Sequence, residues 1–183
     1  MKQILAILLL TMIVKCKAQS PVYTLGQSPI NKPQNSYLKD TNNILNKFVG
    51  TWAYSQNGKV FTIILQKSEM VKLINYYVDE LNGSYKFIDN GVIIVDTNNY
   101  PLLNSKLTGA QLWEGNPNKV SIYFNDPERP KMSCKVILTY SNTNGVEKLH
   151  WDLKLTGYKS SRDPNMNPAT DFRVPTNVEL IKQ

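Results

Sequence analysis

The sequence predicts an all-β domain, an antiparallel meander closed as a barrel or, as the alternative, folded as a β-sandwich. Three observations carry this expectation. Apolar and polar side chains alternate along several runs, Asn-Gly pairs divide those runs, and helical spacing is scarce.

The chain of 183 residues is long enough for one domain with a sizeable core. Strands are expected near 48–55, 59–67, 71–79, 83–88, 91–96, 107–113, 119–125, 131–140, 147–156 and 176–182. In the second of these, Phe61, Ile63 and Leu65 share one face. Val120, Ile122 and Phe124 alternate with Lys119, Ser121, Tyr123 and Asn125. The clearest run places Met132, Cys134, Val136, Leu138 and Tyr140 together, with Ile137 the exception on the other face. Leu149, Trp151, Leu153 and Leu155 alternate with Lys148, His150, Asp152 and Lys154. Such a period of two marks half-buried strands.

Asn57-Gly58, Asn90-Gly91 and Asn144-Gly145 each separate two such runs, as type I′ hairpin turns do. Asn82-Gly83 is open: it is either a turn or a bulge or close contact inside a strand that runs through it. Val71 to Leu81 is apolar on both faces and gives no orientation. One short helical turn is expected over Ile44 to Phe48, capped from Asp40 to Asn43. Residues 19–43, with Pro21, Pro29 and Pro33 among Ser, Asn and Gln, are expected to be a flexible tether, leaving 44–183 as the barrel domain. Ser160 to Pro175 reads as a long polar loop, where function often sits.

Gly50-Thr51-Trp52, preceded by Phe48-Val49 and followed by a strand, resembles the Gly-x-Trp signature of lipocalin-like, calycin-type barrels. The resemblance implies that Trp52 closes one barrel end, with a late basic residue packed over it. Arg173, just before the last strand, is the residue it points to. A wider pattern joins Tyr37-Leu38-Lys39-Asp40, Leu45, Phe48 and Gly50-Thr51-Trp52 to an export end, Cys16-Lys17-Ala18-Gln19. It is similar to a family of short exported proteins of flavobacteria and relatives, itself like a domain of unknown function. That likeness implies a compartment and a fold, and supplies no catalytic residues.

Residues 1–18 read as a secretory signal: Lys2, then an apolar run from Ile4 to Val14 that is too short to span a bilayer. Two processing sites compete. Cleavage before Gln19 gives a soluble periplasmic or secreted protein. Lipid attachment at Cys16 gives an outer-membrane lipoprotein, although Lys15 stands where a small residue is usual. The leader takes three of the seven excess positive charges and leaves +4, with the remaining lysines scattered among acids. No clustered basic stripe marks a nucleic-acid partner.

Candidate chemistry is sparse. Removal or lipidation of Cys16 leaves Cys134 alone, so no intramolecular disulfide is available, and one Cys and one His do not supply the usual four zinc ligands. His150, the one histidine, points outward without a nucleophile placed beside it. Asp79, Glu80, Asp126, Glu128 and Asp152 are acids of the type that cleaves glycosides, but nothing in their spacing sets two across a cleft. Asn125-Asp126 lacks calcium-loop spacing and is followed by Pro127. Outward tyrosines such as Tyr123 suit either cross-strand pairing or a polar-tipped binding surface. The expectation is therefore a non-catalytic module without metal or cofactor. It would bind a small apolar ligand or an envelope protein, and meet a membrane only through a lipid on Cys16.

Overall fold

The computed structural model describes residues 20–160 and 168–183, so the leader and Cys16 lie outside it. Eleven strands are present among the described residues: β1 Val22–Thr24, β2 Ser36–Lys39, β3 Gly50–Gln56, β4 Lys59–Lys72, β5 Tyr76–Asp89, β6 Val92–Asp96, β7 Leu107–Trp113, β8 Asn116–Phe124, β9 Met132–Thr143, β10 Val146–Tyr158 and β11 Asn177–Lys182. Among the described residues, helical turns are limited to 3-10 geometry.

Eight strands form an antiparallel closed barrel in the order β3-β4-β5-β7-β8-β9-β10-β11. Two seams make it a barrel rather than a sandwich. Ile181 and Lys182 pair with Ala53 and Trp52, and Leu81 to Gly83 pair with Gly109 to Leu107. Three strands stay outside the ring. β6 pairs the end of β5, while β2 lies parallel to the start of β5 and β1 parallel to β2.

The three Asn-Gly pairs do turn hairpins. Both residues of each have positive φ: 53° and 74° at Asn57-Gly58, 48° and 82° at Asn90-Gly91, and 53° and 83° at Asn144-Gly145. Asn82-Gly83 does not turn; β5 runs straight through it. A methyl group on Gly83 would collide with the Ile64 carbonyl oxygen and come within 2.9 Å of Leu65 Cδ2. The glycine is there for close approach of two backbones. The turn between β4 and β5 instead falls at Leu73-Ile74-Asn75, inside the strand expected over 71–79. It carries neither Gly nor Pro, and Asn75 is its one turn-favouring residue.

Inward side chains fill the ring. Phe61, Ile63, Tyr85, Val136, Leu138, Leu149 and Trp151 are fully buried. Phe61 and Trp151 meet edge to face at 5.0 Å between ring centres, and Tyr85 stacks on Phe124 at 4.8 Å. Leu155 departs from the inward set and is exposed, next to the point where the β9–β10 register shifts between Leu155 and Gly157.

The tether expected over 19–43 is corrected for its described part. β1 and β2 form there, and Leu25, Tyr37 and Leu38 are buried. A few well-placed apolar groups and one buried carboxylate offset the ordering entropy that the composition alone would leave uncompensated. Asp79 accepts hydrogen bonds from the Tyr37 hydroxyl, the Asp40 amide and the Met70 amide. Asp40 accepts from the amides of Ile44 and Leu45, capping the 3-10 turn Ile44–Phe48, and pairs with Lys67 at 3.0 Å.

Gly83→Ala should lower unfolding stability by about 1–3 kcal/mol through overpacking, read from urea melts; an unchanged midpoint would contradict the close approach. Burial raises the Glu80 carboxyl above its ordinary value. Its neutral form is thus favoured by folding, and that contribution is lost as pH rises through the folded value. Glu80→Gln should therefore raise the thermal midpoint at neutral pH, with a smaller gain near about pH 4.

Candidate functional site

The barrel end marked by Gly50-x-Trp52 is shut. Trp52 is fully buried and donates from Nε1 to the Phe48 carbonyl at 2.9 Å. Leu45 and Phe48 of the 3-10 turn are buried beside it. Tyr140 meets the Trp52 ring edge-on at 6.3 Å. The basic residue over Trp52 is Lys182, its Nζ 5.4 Å from the ring centre. Gly50 has φ of 135°, and a Cβ there would stand 3.2 Å from Lys182 Cε. The glycine therefore leaves room for the lysine stem. Lys182 pairs with Glu147 at 2.7 Å, and the Tyr140 hydroxyl donates to the same carboxylate at 2.8 Å. The Lys182 hydrogen bond, then that from Tyr140, holds the Glu147 carboxyl below its usual range.

Arg173 does not share this end. It sits at the opposite one, where the β8–β9 connection carries Asp126, and its guanidinium donates to both Asp126 oxygens. It also donates to the Ile94 carbonyl at 3.1 Å and pairs with Glu128 at 2.8 Å. Arg173 thus straps the segment before β11 onto β6 and the β8–β9 connection. Beside it the Trp151 indole donates to the Pro175 carbonyl at 2.9 Å, and the Tyr85 hydroxyl donates to the Asn125 carbonyl at 3.0 Å. Burial, then the nearby Asp126 charge, pushes the Tyr85 phenol far up. A lysine rather than an arginine covers Trp52. The usable signal was the alternation of the last strand, in which Leu180 and Lys182 share a face.

The expected chemical groups are dispersed. His150 is exposed on β10, opposite Glu179 and Thr139. Asp152 pairs with Lys154 at 2.9 Å. Asp79 and Asp126 are committed to the networks above. Cys134 is 5 % exposed, and burial, then the Asp126 charge, raises its thiol above the ordinary value. Among the described residues no three His, Cys, Asp or Glu side chains are grouped as a metal site. Nor is a buried side-chain polar atom left without a partner.

One open groove of about 360 Å³ lies at the Arg173 end, lined by Tyr123, Phe124, Asn125, Cys134, Thr156 and Lys159, among others. Tyr123 is 62 % exposed and packs over Gly109, where a Cβ would be 3.4 Å from its ring. Cys16 lies outside the described residues.

The chain belongs to a family of unknown function, DUF6705, whose model matches residues 1–183. No curated protein and no solved structure matches it.

Asp126→Ala should cost about 3 kcal/mol, because it strands a nearly buried guanidinium. Asp171→Ala, which removes the exposed partner of Arg129, should leave the melting midpoint almost unmoved. The Cys134 thiol, 5 % exposed at the groove wall, should react with a maleimide far more slowly than in the unfolded chain; equally fast labelling of the folded protein would contradict its burial.

Proposed function

We propose that this family member is an exported, non-catalytic interaction module of the cell envelope. Its barrel is a filled scaffold, and it works through its outer surface. The observation that carries this reading is the packing of Trp52, Phe61, Ile63, Tyr85 and Trp151 inside the ring, each fully buried. An eight-stranded barrel has room for its own side chains or for one small ligand, and here the side chains take that room.

The lipocalin-like reading of Gly50-Thr51-Trp52 is supported by the Lys182–Trp52 contact, with Lys182 in the part the resemblance gave to Arg173. Export is supported by the sequence of residues 1–18. The absence of catalysis is supported by an exposed His150, an inert buried Cys134 and carboxylates engaged by Arg173, Tyr37 and Lys67.

A second reading keeps the small apolar ligand and moves it to the groove beside Tyr123. Its volume of about 360 Å³ is within the range of small-molecule sites. Titration with a hydrophobic fluorescent probe separates the two. The filled scaffold predicts no saturable binding, whereas one displaceable probe per chain, lost in Tyr123→Ala, would move the function to the groove.

A further inference from the structure

The β4–β5 hairpin is longer than the barrel it belongs to. β3 accompanies β4 only as far as Leu65, and β7 meets β5 only from Leu81 to Gly83. Residues 66–80 therefore project past the ring at the Trp52 end. β2 and β1 extend this overhang as a small mixed sheet. The bulge at Met70, with φ of 52°, disrupts the free edge of β4, which discourages strand addition there.

The apex of the overhang is aliphatic. Ile74 is 92 % exposed, and Leu73 and Met70 are also exposed. Two further segments end beside it. The Asn35 amide donates to the Asn75 carbonyl at 2.8 Å, and the Tyr37 amide to the Pro21 carbonyl at 2.8 Å. These bonds bring Asn35 and exposed Val22 to the same end. Within 20–35 and 70–77 the only charged residues are Lys32 and Lys72. Lys32 Nζ lies 3.8 Å from the Tyr23 ring centre and Lys72 Nζ 6.0 Å from that of Tyr77.

We propose that this overhang is a membrane-contacting tip, with Ile74 and Leu73 entering an anionic lipid surface and Lys32 and Lys72 resting on its headgroups. The proposal deepens the reading of an envelope module. Aliphatic side chains at an apex, backed by tyrosines and by Lys32 and Lys72, with exposed Glu69 paired to Lys67 at 4.0 Å farther from the apex, match the layers of a lipid interface. A protein partner would instead call for a broad, complementary patch of roughly 800 Å², and a convex tip does not present one.

The course of the chain agrees. Ser20 enters at this same end, and Cys16 stands only four residues earlier, a reach of at most about 14 Å. On the lipoprotein alternative, an acyl group at Cys16 and the tip address one surface, and a single acyl chain holds a protein only marginally without a second contact.

The test uses the chain starting at Gln19 and sedimentation with phosphatidylcholine vesicles, with or without about 30 % phosphatidylglycerol. Binding to the anionic vesicles is expected at low salt and should be lost at about 0.5 M salt. L73S/I74S should weaken it about tenfold or more, and Lys32→Gln with Lys72→Gln should flatten its salt dependence. Ile181→Ser, an exposed control on β11, should leave it unchanged. These side chains are exposed, so an unaltered thermal midpoint checks that each variant folds. Equal binding by L73S/I74S, or none by the parent chain, would overturn the proposal. So would self-association abolished by the same variant in the absence of vesicle binding, which would assign the tip to a second copy. Capture of an envelope protein by both parent and variant would leave the envelope reading standing and remove only the lipid.

Discussion

Closure of the ring is the constraint on which everything else depends. A strand paired along both edges has no free backbone groups to satisfy elsewhere, and eight such strands curve around a space that their own inward side chains must fill. The two seams, β3 with β11 and β5 with β7, fix which residues face that space. Once Trp52 faces inward opposite Ile63, Tyr85 and Phe61 follow from the register of β4 and β5. The aromatic contacts among Phe61, Tyr85, Phe124 and Trp151 are the result.

The two ends are closed by different physics. At the Trp52 end, an apolar plug of Leu45 and Phe48 is seated beside a lysine stem that runs close past Gly50. At the other end, a nearly buried guanidinium on Arg173 gathers Asp126, Glu128 and the Ile94 carbonyl. The polar strap fixes one set of partners by hydrogen-bond geometry, whereas the apolar plug fills volume. Between them, the buried Asp79 holds the segment after β1 against β5, so residues that look linker-like in composition become part of the sheet.

Legibility followed the strength of local signals. The period of two in β4, β8, β9 and β10 and the three Asn-Gly turns were readable, because each rests on a rule that a few residues enforce. Where tertiary contact decides, the sequence was ambiguous. Gly83 is explained only by the Ile64 carbonyl across from it, and the Leu73–Asn75 turn is announced by a single asparagine among apolar residues. β1 and β2 escaped notice because Tyr37 and Leu38 are too few to set a period. Of the candidate site, Gly50 and Trp52 lie together at one barrel end. Arg173 was not joined to them, since end-to-end position in a barrel depends on strand direction and register rather than on order along the chain. The apolar hairpin tip was hidden for a related reason: Val71 to Leu81 is apolar on both faces, and only the length of β4 and β5 relative to β3 and β7 shows that its apex stands free.

The central claim is a ring closed at both seams around its own side chains. Nuclear magnetic resonance of the chain starting at Gln19 tests it most directly, through cross-strand contacts at the two seams and the exchange of the amides there. The account predicts close contacts between Ala53 and Ile181 and between Gly83 and Leu107, with slowly exchanging amides along both. Absent contacts and fast exchange at either seam would mean an open sheet or a sandwich, and the filled barrel would have to be abandoned.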